Sequence, residues 1–515
     1  MNGKGGLKII KWYFGENLKA MKRKFLFYLI LICATSFGQL QNNTWYFSPT
    51  NKGIQFDFST NAPSVITGHA PLTNVHGCGI ASNPVTGAVL FYTDAVNVYD
   101  ANDLQMPNGN GLNGGTSCAE KGTIVQMPDS CFTYYIFSNS ANSPSSGSIS
   151  YSIVDMRLSG NGTSTSPKGD VIVSSKNTLV MDTSTECYTI VPNMVGHNYW
   201  LIAPVNGTSR IKVFTISASG ISYSNSFNTG IVFNSSMAIK YSNSSHKIAY
   251  TCVVENTPAL LMDFNPTLGI ITNAVIIPNT PVGGCLNVYN GWHDVEFSPD
   301  GTKLYLSKYR MYSPAGAGRI YQYDLNLPSS PAIVVFNNPS SDINKTVTGM
   351  QTGPDGKIYF IYYNTTTNDD RLIGAINNPN IAGVVCNVSP AVLDLGVIQS
   401  GNSRFSKPAF FNADIFQTPM LPSCSKDGIN EYLDVNTITV FPNPSSGQMT
   451  VNISDHTSST SLQVFDMVGK MVYYSELIKM KNDLQMNALD NGIYFFKFCE
   501  KETGKSILKR VVLNK

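Results

Sequence analysis

The chain has 515 residues, of which 13% are charged and 42% apolar, with a formal net charge of +2. Its polar part is mostly Ser, Thr, Asn and Gly, which disfavours long exposed helices and suits short strands joined by turns. The apolar content excludes a disordered chain, and the near-neutral balance gives no electrostatic case for nucleic acid.

Met21-Lys22-Arg23-Lys24 is a compact basic cluster, followed by ten residues without a charge, Phe25 to Ala34. As a helix that run rises about 15 Å, half of a bilayer core, so it does not span. Ser36 and Gly38 then supply a small-x-small cleavage pattern. Residues 1–38 therefore read as an N-terminal extension and secretory signal, cut between Gly38 and Gln39. Seven basic residues and one acid leave with it, so the mature chain is slightly acidic. No later run reaches the ~20 apolar residues of a membrane span.

Nine cysteines follow the signal: Cys78, Cys118, Cys131, Cys187, Cys252, Cys285, Cys386, Cys424 and Cys499. Their spacing is irregular and contains no C-x-x-C. An exported chain can form disulfides, but an odd number leaves one thiol over. Most of these cysteines read as small apolar residues on strands.

Residues 39–416 repeat one theme. Phe297-Ser298-Pro299-Asp300-Gly301 leads into Thr302 to Leu306, and Gly353-Pro354-Asp355-Gly356 leads into Lys357 to Phe360. Ser82 to Tyr92 is a third copy, and looser copies precede Tyr135, Trp200 and Tyr250. Pro presets the first turn angle, Asp bonds its own backbone and Gly supplies a positive φ, so each copy is a hairpin. Taking Phe91, Tyr135, Trp200, Tyr250, Tyr305 and Tyr359 as equivalent gives a unit of roughly 40–50 residues, the size of a four-stranded propeller blade. Trp45 to Phe58 and Ala409 to Phe416 read as the halves of a seventh blade that closes the ring. The expected class is all-β: a seven-bladed β-propeller, then a small Ig-like antiparallel β-sandwich.

Residues 417–432 hold two prolines and no periodicity, and read as a linker. From 433 to 515 about seven short alternating strands occur, with turns every 8–12 residues, as in a sandwich.

This last segment carries Phe441-Pro442-Asn443-Pro444 with Gly447, Val464-Phe465-Asp466 with Gly469-Lys470, Leu489 with Gly492-Ile493-Tyr494, and a terminal Lys509-Arg510-Val511-Val512. With these motifs in this order it resembles the type A C-terminal sorting domain of type IX secretion cargo in the Bacteroidota. The resemblance implies Sec export across the inner membrane, then recognition by the type IX machinery and passage to the surface or medium. Residues 44–416 resemble the propeller region of large secreted proteins from the same bacteria, through Trp45-Tyr46-Phe47, Met106-Pro107-Asn108-Gly109, Val295 to Gly301, Gly353 to Tyr359 and Asn377 to Asn380.

Catalytic signals are sparse. His293-Asp294 precedes the clearest blade strand and is the candidate acid–base pair. Strand neighbours point to opposite faces, which argues against a direct contact. The other histidines show no ligand spacing, so no metal or cofactor is expected. Trp292, Tyr309 and Tyr312 are candidates for stacking on sugar rings. The leading reading is a secreted or surface β-propeller that binds a glycan or protein, with no nucleic-acid partner. The alternative is an extracellular hydrolase or lyase acting on polysaccharide or peptide at the propeller mouth.

Overall fold

The computed structural model describes residues 42–396 and 438–515, apart from 48–49, 58–59, 73–77, 84–85, 116–117, 119–121, 142–144, 235, 253–256, 279–290, 309–317, 328–330, 339–344, 365–368, 454–459, 467–470, 478–479 and 501–505. The signal with its Gly38–Gln39 junction, the Ala409–Phe416 segment, the 417–432 linker, Tyr309, Tyr312, Gly469 and Lys470 lie outside the described residues. The chain divides into two units, Met1–Thr418 and Pro419–Lys515.

The repeated turns set the architecture of the first unit. At 298–303, Ser298 Oγ donates to Asp300 Oδ1 (2.6 Å), Thr302 N–H donates to the same oxygen (3.0 Å), and Gly301 takes φ +70°. A Cβ on Gly301 would stand 2.9 Å from Ser245, so both the angle and the close approach demand glycine. Each such turn joins the first two strands of an antiparallel meander. Seven sheets result among the described residues, over 44–67, 79–100, 123–184, 189–228, 236–277, 292–337 and 345–394. They are blades 1 to 7 in that order.

The sheets form a ring. First strands of successive blades lie against one another: Thr44–Tyr46 on Gly79–Ser82, Gly79–Ser82 on Thr123–Gln126, Thr189–Pro192 on Ser236–Ser242, Ser236–Ser242 on Trp292–Phe297, and Trp292–Phe297 on Lys345–Thr352. Seven apolar clusters fill the seven gaps between neighbours. Because both faces of an inner strand meet a neighbouring blade, the alternation of apolar and polar residues disappears there and Tyr199–Pro204 or Lys303–Lys308 is buried at every position. The last gap closes the ring: Trp45 and Phe56 of blade 1 pack edge-on against Tyr359 of blade 7, at 5.7 and 5.6 Å between ring centres.

A second device ties blades together. Tyr135 donates to Ser217 O (2.9 Å), Trp200 Nε1 to Pro266 O (2.7 Å) and Tyr305 to Pro379 O (2.7 Å). In each case an aromatic on a second strand reaches the outer turn of the next blade, so one residue supplies buried area and a directed bond. Burial pushes the Tyr135 hydroxyl up to about 12, with nearby Tyr151 adding to the shift. Tyr305 also accepts from Gln322 Nε2 (2.7 Å). Tyr305→Phe leaves both partners short of a bond inside the fold, and is expected to cost about 1–2 kcal/mol in denaturant unfolding.

The equivalence of Tyr250 with those aromatics is corrected by the register. Lys240 pairs with Ala249, whereas Glu296 pairs with Tyr305 and Gln351 with Tyr359. Counted from the turn, Ala249 holds the aromatic position of blade 5. Tyr250 is one residue further on and points back into the cluster shared with blade 4. A slip of one residue on a strand exchanges its two faces.

Outer edges are interrupted. The outermost strand pairs of blades 4 to 7 each carry a register shift, at Val213/Phe214, Leu261/Asp263, Ile320/Tyr321 and Ile373/Ala375. Bulges of this kind blunt an edge that would otherwise pair with another chain.

The second unit is a two-sheet sandwich. One sheet orders Ile438–Phe441, Gln448–Ile453 and Lys481–Gln485. The other orders Met471–Leu477, Thr460–Phe465, Gly492–Glu500 and Ser506–Leu513. Its core includes Ile438, Val451, Leu462, Val464, Phe496, Phe498, Val511 and Leu513. Among the described residues no helix is long and apolar enough to cross a membrane.

Candidate functional site

The sequence singles out His293-Asp294, and the structure places both on the first strand of blade 6, at the ring's inner edge. The register of this strand shifts between Trp292 and Asp294, and matching shifts occur at Ser236/Ala238 in blade 5 and Thr348/Met350 in blade 7. The simple alternation assumed for His293 and Asp294 therefore fails at this point. Thr251 Oγ1 donates to His293 O (3.4 Å), and Asp294 N–H donates to Ser307 Oγ (3.0 Å), so neighbouring hydroxyls hold the bulged backbone.

Asp294 is fully buried, and its carboxylate serves backbone groups. Oδ1 accepts from Val295 N–H (2.8 Å) and Oδ2 from Met350 N–H of blade 7 (2.5 Å). An aspartate so engaged pins two blades at the axis.

Beside it lies a buried polar arc that the sequence did not reveal. Lys240, Glu296 and Gln351 occupy the same turn-counted position on blades 5, 6 and 7. Lys240 Nζ lies 2.8 Å from Gln351 Oε1, 3.4 Å from Glu296 Oε2 and 3.5 Å from Met350 O. Glu296 Oε1 accepts from Phe297 N–H (3.1 Å). Blades 3 and 4 place Val125 and Val191 at this position, so the arc covers one side of the axis. Ala249 stands opposite Lys240, where Trp200, Tyr305 and Tyr359 stand in blades 4, 6 and 7.

Trp292 is not a platform for a sugar. It is fully buried between blades 5 and 6, edge-on to Tyr321 at 5.1 Å, with Lys308 Nζ 4.9 Å from its ring centre. Of the histidines, His69 stacks on Tyr46 at 4.0 Å, His197 bonds Asp129 (2.8 Å) and His246 bonds the Tyr241 hydroxyl (2.8 Å). Among the described residues no group of three or more His, Cys, Asp or Glu could hold a metal. Cys78, Cys118, Cys187, Cys252 and Cys386 are buried, and Cys131 is disulfide-bonded.

In the second unit the motif residues converge on the final strand. Asn443 Nδ2 donates to Arg510 O (2.8 Å) and Asn443 Oδ1 accepts from Val512 N–H (2.9 Å), so the amide side chain mimics a strand residue beside the sheet edge. Ser445 N–H then donates to Val512 O, and Asn514 N–H to Ser445 O, both at 2.8 Å. Pro442 and Pro444 flank Asn443, and their fixed φ orders this segment. Gly447 takes φ +107°, where a Cβ would stand 2.6 Å from Asn487 Oδ1. Tyr494 is buried and donates to Asp490 O (2.9 Å), and Gly492 faces Leu513 across the last pair of strands. Asp466 follows the strand Thr460–Phe465 and is half-buried. Lys509 is half-buried and Arg510 exposed. The Lys515 ammonium folds back on Asn487 O (2.6 Å) and Leu489 O, capping a turn of its own unit.

A search of curated proteins finds no match to the chain. Among solved structures, PorZ of Porphyromonas gingivalis, described as a surface component of the type IX secretion system, is similar at 13% identity over 90% of this chain and 68% of PorZ, with a TM-score of 0.29. The β-propeller domain of Cps50 (Swd1) from Myceliophteria thermophila is similar at 12% identity over 76% of this chain and 97% of that one, with a TM-score of 0.30. Hsv2p of Kluyveromyces lactis is similar at 10% identity over 64% and 86%, with a TM-score of 0.33. The family of the secretion system C-terminal sorting domain matches residues 439–514. After its seven-sheet propeller, the chain thus carries a C-terminal sorting domain of the kind borne by type IX secretion cargo.

Proposed function

We propose that residues 1–38 direct Sec export, that the 433–515 unit directs passage through the outer membrane, and that the propeller acts outside the cell as a binding module for a glycan or protein. The observation that carries binding over hydrolysis is the state of the central carboxylates. Asp294 accepts two backbone N–H bonds and Glu296 faces Lys240, so both hold blades together. A general acid or base needs a proton to exchange with substrate, and converging groups to aim it. A propeller also gathers the loops of all its blades at one end, a broad surface suited to recognition. The test is incubation of the exported protein with glycan and peptide arrays, with product analysis. Retention without turnover is expected. Cleavage of a retained glycan or peptide would replace this reading with the hydrolase or lyase.

A further inference from the structure

The two outward faces of the C-terminal sandwich differ in chemistry. On the three-stranded sheet the outward residues include Thr439, Thr450, Asn452, Lys481, Asp483 and Gln485, with Phe441 the large apolar exception. That is the polar surface expected of a sheet face in water.

The four-stranded sheet is different. Val464, Phe496 and Val511 point inward, so their neighbours point out. Register places Met471, Phe465, Phe495 and Arg510 in one row across all four strands. The next row holds Tyr474, Gln463 and Lys497, and Ile493 pairs with Val512 beyond the first. Met471 is 52% and Tyr474 50% exposed, Phe465, Phe495, Ile493 and Val512 are partly exposed, and none of these belongs to the core cluster. An apolar, aromatic sheet face of this extent on a unit of about 80 residues marks an interaction site. Its charges are biased: Arg510 and Lys497 lie among the aromatic rows, while Glu476 stands toward the far end of its strand.

We infer that this outward face is the docking surface for a protein receptor of the secretion machinery, whose own surface is apolar at its centre and acidic where it meets Arg510 and Lys497. The inference rests on the sorting reading of the 433–515 unit and names the surface that reading uses. Aromatics and arginine are the residue types that dominate protein–protein affinity. Complementary charge sets the partner's sign. The motif residues fit this arrangement, because Asn443 and Ser445 clamp the strand that carries Arg510 and fix the edge of the face.

The test is made in the full chain, in cells with a working type IX system. Met471→Ser, Tyr474→Ser and Arg510→Glu are combined, and surface and medium protein is compared with the periplasmic pool. Arrival is expected to fall about tenfold or more, with the unfolding midpoint unchanged, because all three side chains are exposed. Thr439→Ser, Asn452→Ser and Gln485→Ser on the other sheet are expected to leave arrival unchanged. If the first variant unfolds early, Arg510→Glu alone carries the test, since only the backbone of Arg510 serves Asn443. Normal arrival of a folded variant overturns the inference. So does vesicle flotation, or dimerisation in sedimentation, that the wild type shows and the variant loses, because the face would then serve a lipid surface or a second copy. Deleting residues 433–515 separates the two levels. Normal arrival of that deletion sinks the sorting reading, whereas its retention beside normal arrival of the face variant sinks only the docking face.

Discussion

Lys240→Ala is expected to lower the stability of the propeller by about 3–5 kcal/mol, the cost of breaking a buried ion pair by removing one of its charges. Lys240 and Glu296 side chains are 7% and 9% exposed, and their pairing spans blades 5 and 6 while Gln351 and Met350 bring in blade 7. Removing the ammonium takes the countercharge from the buried Glu296 carboxylate, which keeps its bond from Phe297 N–H. Total stability of a domain is of the order of 5–15 kcal/mol, so the loss would be plain in denaturant unfolding. Lys240→Met combined with Glu296→Leu removes both charges and keeps the volume, and is expected to recover most of the loss. A single variant within 1 kcal/mol of wild type would mean that the arc does not hold the blades.

The ring was legible because a propeller repeats its turn chemistry. Asp300-Gly301 and Asp355-Gly356 are needed wherever an inner strand reverses, and Tyr135, Trp200, Tyr305 and Tyr359 recur because each bridges to the next blade or packs on it. The polar arc was not legible for a register reason. Tyr250 satisfies the residue type of the marker, but Ala249 occupies its place, and choosing by type hid that Lys240 shares the turn-counted position of Glu296 and Gln351. The bulge at His293 was equally invisible, since a bulge adds a residue without changing composition. Trp292 looked like a surface aromatic because sequence shows hydrophobic size and not which face of a blade it meets. In the sandwich, four motifs in order carried the resemblance to the sorting domain, Pro-Asn-Pro among them. Only the hydrogen bonds from Asn443 to the last strand show the work the motif does.

That last strand carries the second large effect, and it tests the central claim that the C-terminal unit sorts a separately folded propeller. Ser506–Leu513 pairs along its whole length with the strand Gly492–Glu500, and it places Ile507, Val511 and Leu513 in the core. At about 1.5–3 kcal/mol for each buried aliphatic side chain, removing it costs the sandwich roughly 5–9 kcal/mol, as much as a unit of this size holds. It also removes the partner of Asn443 and Ser445. The propeller has seven apolar clusters of its own among the described residues. The decisive measurement is therefore cell fractionation of the 506–515 deletion, with limited proteolysis of the recovered protein. The account predicts a protease-resistant propeller retained in the periplasm with a degraded C-terminal unit. Normal levels of the deletion protein at the surface or in the medium would contradict it.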